Sequence, residues 1–132
     1  MPRLSLFAVL LLALHIATAL LDPYVRIGWL AAIVPLASPY RGLAIGLGAA
    51  AVDLGGAVLL TSVLRRRIGF RTWRAVHWLA YLAWPAAYAH SVMAGADLGV
   101  WWVAVAEYAS VTMVAAALVA RLLTWPERVP GR

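Results

Sequence analysis

The chain has 132 residues, of which 65% are hydrophobic and only 12% are charged, with a net charge of +6. A soluble domain typically has about a quarter charged residues, so this composition excludes an ordinary soluble domain and predicts an integral membrane protein. The absence of cysteine excludes disulfides, thiolate metal sites, iron–sulfur clusters and covalently attached c-type haem. The length predicts a single domain covering residues 1–132.

Four apolar segments approach the length of about 20 residues that a membrane-spanning helix needs. They cover approximately residues 4–21, 43–64, 73–93 and 100–123. Asp22 and Pro23 should end the first helix, because a residue before proline disfavours helical geometry. We therefore predict an all-α integral membrane protein built as a bundle of four transmembrane helices.

The first segment also has an alternative interpretation. Its basic start, apolar centre and Ala-x-Ala end fit a signal peptide cleaved after Ala19. We favour a retained span, since the stretch is long enough to cross the membrane. The orientation of the second span also requires a preceding span that starts in the cytoplasm.

The connecting segment 22–42 contains an apolar stretch, Ile27 to Leu36, that is too short to cross the membrane. It is expected at the outer surface or as a partly inserted helix.

All 11 basic residues are arginines, and they lie mostly between the apolar runs. Nine of them fall on the side that holds both termini and the segment RRRIGFRTWR, and two, Arg26 and Arg41, fall on the other side. The excess of arginine on the cytoplasmic side of membrane proteins predicts that both termini are cytoplasmic. This placement favours a topological role for the arginines over nucleic-acid binding.

The three histidines all lie in predicted spans. His15 and His90 are on helices that run in the same direction and reach a similar depth in the outer half of the membrane. Two imidazoles at one depth are suited to bind the two faces of a single b-type haem iron. His77 lies thirteen residues before His90, about 20 Å along a helix axis and about 140° out of register. Either Pro85 between them distorts the helix, or the two side chains do not face one groove. The alternative is that the histidines only form hydrogen bonds between helices.

The stretch LHIATALLDPYVRIGWLAAIVPLASPYR, followed by TSVLRRRIGFRTWRAVHWLAYLAWPAAYAH, resembles the bacterial ferric reductase-like transmembrane family. That superfamily includes NADPH oxidases, metalloreductases and the haem subunit of the periplasmic methionine sulfoxide reductase system. The resemblance implies that haem b lies between helices 1 and 3, with His15 and His90 as the ligands of the outer haem and His77 as an inner ligand. The position of the family's fourth ligand is occupied by Met1. Three expectations follow: the true start of the protein lies upstream, the chain is a truncated paralogue, or the chain binds a single haem and a partner protein supplies the remaining parts.

Other residues are candidates for supporting roles. Trp84 lies seven residues after His77 and would share its face, either as an electron-transfer contact between two haems or as core packing. Arg26 and Arg41 are candidates for holding an outer haem propionate. The arginines of RRRIGFRTWR are candidates for holding propionates or docking a cytoplasmic flavoprotein, although topology alone also explains them.

Two acidic residues lie within predicted spans. Asp53 is near the middle of the second span, where an unpaired carboxylate is costly. It is expected either to orient a haem ligand or carry a proton, or to form a hydrogen bond between helices beside a glycine pair. Glu107 in the fourth span allows the same two interpretations.

These observations predict a membrane b-type haem protein that moves electrons across the bacterial inner (plasma) membrane to an acceptor on the outer side. Only nine residues follow the fourth span and no glycine-rich phosphate loop occurs, so we expect an oxidoreductase component without its own flavin or nicotinamide domain. Its electron donor would be a separate reductase subunit, a flavin or a quinone. The alternatives are a haem-free membrane scaffold or accessory subunit, and a truncated, non-functional paralogue.

Overall fold

A computed structural model describes residues 2–97 and 99–123 of the chain. Every regular element in these ranges is helical, which confirms the all-α prediction for this part of the chain. The elements are α1 (Pro2–Leu21), a 3-10 segment (Trp29–Ala32), α2 (Gly42–Val63), α3 (Arg65–Ile68), α4 (Phe70–His77), α5 (Ala80–Ala94) and α6 (Trp101–Leu123). Helices α1, α2 and α6 begin and end within two residues of the predicted first, second and fourth spans.

The chain forms two compact units, Met1–Gly95 and Ala96–Arg132. The described helix of the second unit is α6, an apolar helix with Trp101 and Trp102 exposed in its first turn and Arg121 in its last. Tryptophan at a helix end is typical of the interface between lipid and water.

Two helices, α2 and α6, are long and apolar enough to cross a membrane by length and composition, among the residues described. Only 17% of the apolar window of α2 is buried, and none of that of α6. The described core consists of Ala31, Ala44 and Ala49, without any fully buried large side chain. A soluble helix of such composition would normally be buried, so the exposed apolar surface is compatible with lipid contact.

The predicted third span is not one continuous helix. It is divided into α4 and α5 at Trp78 and Leu79, where the Leu79 amide donates to the Val76 carbonyl at 2.9 Å and the Leu82 amide donates to the Leu79 carbonyl at 3.0 Å. These are the bonds of a tighter 3-10 turn, which rotates about 120° per residue instead of about 100°. The division lies before Pro85, whose ring crowds the preceding turn and whose missing N–H removes one helical bond.

Helices α2 and α5 pack closely in an antiparallel arrangement, and Arg41 joins the start of α2 to the end of α5. The Arg41 side chain donates from Nη1 to the carbonyls of Met93 at 3.2 Å and Ala94 at 3.5 Å. A cation is favourable at the end of a helix, because the last carbonyl groups have no helical partner. Arg41 therefore stabilises the end of α5 from the residue that precedes α2.

The segment between α1 and α2 folds over this helix pair. Its predicted apolar stretch contains one 3-10 turn, with Ala31 buried and Trp29 exposed. Leu36 adopts a left-handed backbone with φ of 68° and lies against Gly46, where an added Cβ would be 2.8 Å from the Leu36 amide nitrogen. Only glycine at position 46 allows this close approach.

Candidate functional site

A cavity of about 500 Å³ lies between α1, the 3-10 segment, α2 and α5. Its volume is within the range of about 300–1,000 Å³ that is usual for small-molecule and cofactor sites. Small and apolar side chains form most of its walls, and the imidazole-bearing residues His15 and His90 line it together with Trp84. An apolar cavity with a few polar groups is typical of a site for a largely apolar ligand.

The structure brings His15 of α1 and His90 of α5 together across this cavity. Their ring centroids are 6.3 Å apart and their planes are inclined at 79°. Metal–imidazole bonds are about 2.0–2.1 Å long, so two imidazoles on opposite faces of one metal have ring centres about 6 Å apart. The observed separation fits a pair of axial ligands.

The orientation of the His90 ring is fixed by the backbone of α2. Its Nδ1 lies 2.7 Å from the carbonyl oxygen of Ala44. Since a carbonyl only accepts, Nδ1 must donate its hydrogen there, and in a neutral ring Nε2 then keeps its lone pair. A ligand histidine is usually held in this way through its second nitrogen.

Gly48 provides the space that the His90 ring occupies. A Cβ added at Gly48 would lie 2.7 Å from Nδ1 and 2.8 Å from Cε1 of His90, closer than real side chains pack. Neither Gly48 nor the Ala44 carbonyl was predicted from the sequence. The dense small residues of GLAIGLGAAA are the signal that would have indicated a close approach to α2.

His77 lies apart from this pair. It is exposed on α4, outside the cavity lining, and its ring stacks on Trp73 with centroids 4.8 Å apart. Trp84, in contrast, lines the cavity and stacks on Tyr88 at 5.5 Å. The structure thus places Trp84 with the cavity histidines and not with His77, because the tight turn at Trp78 separates the two helices.

The remaining candidates do not line the cavity. Arg26 is exposed, and the guanidinium of Arg41 is held at the end of α5 and over the Tyr40 ring at 5.6 Å. Asp53 is exposed on α2 and contacts neither histidine ring. Glu107 belongs to the second unit, where it is half-buried on α6.

The number of possible ligand residues limits the kind of metal centre that the cavity could hold. Within residues 2–97 and 99–123, no group of three or more His, Cys, Asp or Glu side chains is arranged to hold a metal ion. A bare zinc ion takes three or four protein ligands. Two imidazoles suffice where the metal already has four other donors, as iron has in a porphyrin.

Comparison of the chain with models of known protein families, with curated proteins and with solved structures found no match. The function of the site therefore has to be inferred from its own residues and geometry.

Proposed function

We propose that this chain is a membrane b-type haem protein that transfers electrons to an acceptor on the outer side of the membrane. His15 and His90 would hold one haem in this proposal. The observation that supports it is the 6.3 Å separation of the two imidazole rings across an apolar cavity. A haem held by these two imidazoles would supply a one-electron iron couple, which suits electron transfer.

Ala44 and Gly48 orient the His90 ring so that it could bind a haem iron. The Ala44 carbonyl accepts the Nδ1 hydrogen at 2.7 Å, which sets the tautomer and leaves the lone pair of Nε2 available to a metal. Gly48 leaves room for the ring to reach that carbonyl. Trp84 and the small residues of α2 and α5 give the cavity apolar walls, and an apolar environment is one determinant of a haem potential.

One haem per chain is proposed. His77 is exposed and stacked on Trp73, away from the cavity. A second haem, as the resemblance to the ferric reductase-like family implies, would need a further ligand opposite His77. The electron donor in this proposal is a separate reductase subunit, a flavin or a quinone.

The proposed location is the bacterial inner membrane, with four spans and both termini in the cytoplasm. The lengths and apolar compositions of α2 and α6 support two of these spans. The apolar helix α1 and the pair α4–α5 would supply the others. The arginine distribution supports the orientation, which places His15 and His90 in the outer half of the membrane.

Absorption spectroscopy of the full chain tests the proposal. The chain would be expressed in bacterial membranes with haem precursor supplied, purified in neutral detergent, and recorded before and after dithionite reduction. We expect a Soret band, a sharp reduced α band, and one haem per chain by pyridine haemochrome assay after size-exclusion chromatography. A purified, helical chain without a Soret band would overturn the proposal and favour a haem-free membrane scaffold.

A further inference from the structure

The segment between α2 and α5 concentrates positive charge. It has five of the eleven arginines of the chain within RRRIGFRTWR, and no Asp or Glu occurs between Asp53 and Asp97. Gly69, with φ of 78°, separates α3 from α4, which allows the chain to turn within this basic segment. The five positive charges therefore lie on two short helices, α3 and α4, and no acidic residue is near them in the sequence.

One of the five arginines is used to hold the segment together. The Arg65 guanidinium lies over the Trp73 ring at 4.5 Å and near the Phe70 ring at 5.7 Å. The Trp73 indole donates to the Ser62 hydroxyl at 3.3 Å, which attaches α4 to the last turns of α2. These contacts fix α4 against the end of α2.

The other four arginines form what we name the arginine cluster: Arg66, Arg67, Arg71 and Arg74. All four are exposed, and none of their side chains has a hydrogen-bond or ion-pair partner among the described residues. Four guanidinium groups without a counter-charge on two adjoining short helices repel one another. An external anion would relieve this repulsion.

The surroundings of the arginine cluster indicate what kind of anion it takes. The apolar helix α2 ends at Val63, immediately before the cluster, and Val63 is 74% exposed. Phe70, beside the cluster, is 55% exposed. A free phosphate would leave these apolar groups uncovered, whereas a phospholipid has a phosphate for the guanidinium forks and acyl chains for the apolar surface.

We propose that the arginine cluster is a binding site for anionic phospholipids, with their headgroup phosphates held by the guanidinium groups where α2 leaves the membrane. The arrangement of basic residues next to a membrane-spanning helix is typical of contact with anionic lipid headgroups. This inference does not depend on the presence of a haem. It assigns to the basic segment a lipid preference in addition to its effect on topology.

Lipid selectivity of the purified full chain tests this inference. The chain would be reconstituted in phosphatidylcholine vesicles containing spin-labelled phosphatidylglycerol or spin-labelled phosphatidylcholine, and the motionally restricted fraction measured by electron paramagnetic resonance. We expect preference for phosphatidylglycerol, decreasing as salt is raised because exposed charges are screened. Each arginine is expected to contribute up to about a fivefold preference.

Matched variants distinguish the arginine cluster from general positive charge. Changing all four arginines to glutamine should bring the preference close to one, and changing all four to lysine should lower it, because an ammonium group lacks the paired donors of a guanidinium fork. Arg71→Gln should lower the preference, and Arg26→Gln, with the same change of charge on the other side, should not. Equal affinity of the unchanged chain for both lipids, or full preference in a glutamine variant of native helical content, would overturn the inference.

Discussion

The imidazole rings of His15 and His90 lie 6.3 Å apart across a cavity, although the two residues belong to helices far apart in the sequence. Helix α1 approaches the rest of its unit chiefly through the 3-10 segment, while α2 and α5 pack closely. Both rings line the cavity, one from α1 and one from α5. Their separation is close to the distance of about 6 Å between the centres of two imidazoles bound to one metal.

We expect His15→Ala and His90→Ala each to lose the haem during purification. Each substitution removes one of the two proposed ligands, and no other imidazole lines the cavity among the described residues. The measurement is haem content per chain together with the reduced α band. Each variant should retain the helical circular dichroism of the unchanged chain.

His77→Ala is the control for this pair. His77 lies on α4 outside the cavity, so its removal should leave haem content and spectrum unchanged. Loss of haem in His77→Ala with retention in His15→Ala would show that the proposed pairing is wrong.

Gly48→Ala should weaken haem binding without removing a ligand. The added Cβ would lie 2.7 Å from Nδ1 of His90, so the ring must move and its bond to the Ala44 carbonyl is lost. Loss of such a supporting contact typically lowers metal affinity about 10- to 100-fold. Haem affinity would be measured by titration of the haem-free chain.

Gly56→Ala is the matched control, because a Cβ at Gly56 in the same helix meets nothing within 4 Å. Its haem affinity should equal that of the unchanged chain. If Gly48→Ala bound haem as tightly as Gly56→Ala, the assigned role of Gly48 would be incorrect.

Gly46→Ala should lower the stability of the fold. The added methyl group would lie 2.8 Å from the backbone nitrogen of Leu36, which cannot move without displacing the segment over the cavity. Such overpacking typically costs about 1–3 kcal/mol. Thermal unfolding in detergent should give a lower midpoint for Gly46→Ala and an equal or higher one for Gly56→Ala, because alanine is the better helix former by about 1 kcal/mol.

Labelling of single cysteines tests the orientation in the membrane. The chain has no cysteine, so Arg67→Cys and Arg26→Cys each introduce the one thiol of their variant. In intact cells, a membrane-impermeant maleimide should label Arg26→Cys from outside and label Arg67→Cys only after the membrane is broken. The reverse pattern would contradict cytoplasmic termini.

Periodicity and composition were sufficient to predict helices α1, α2 and α6, because long apolar runs between arginine-rich segments admit few other structures. They did not locate the break between α4 and α5 within the third predicted span. The interruption at Trp78 and Leu79 depends on how the helical bonds rearrange before Pro85, and the sequence pattern is apolar on both sides of it. An apolar pattern cannot distinguish one helix from two joined by a tight turn.

The sequence by itself determined a helical chain of membrane-like composition, and it predicted from matched depth that His15 and His90 lie close together. Only the tertiary structure decided which contacts bring the two rings to one cavity. His15 and His90 meet because Gly48 admits the His90 ring and the Ala44 carbonyl orients it, whereas His77 is held against Trp73 on α4. Distances between side chains on different helices depend on packing against small residues and on the local twist of each helix, and neither is encoded in the order of apolar and polar residues along the chain.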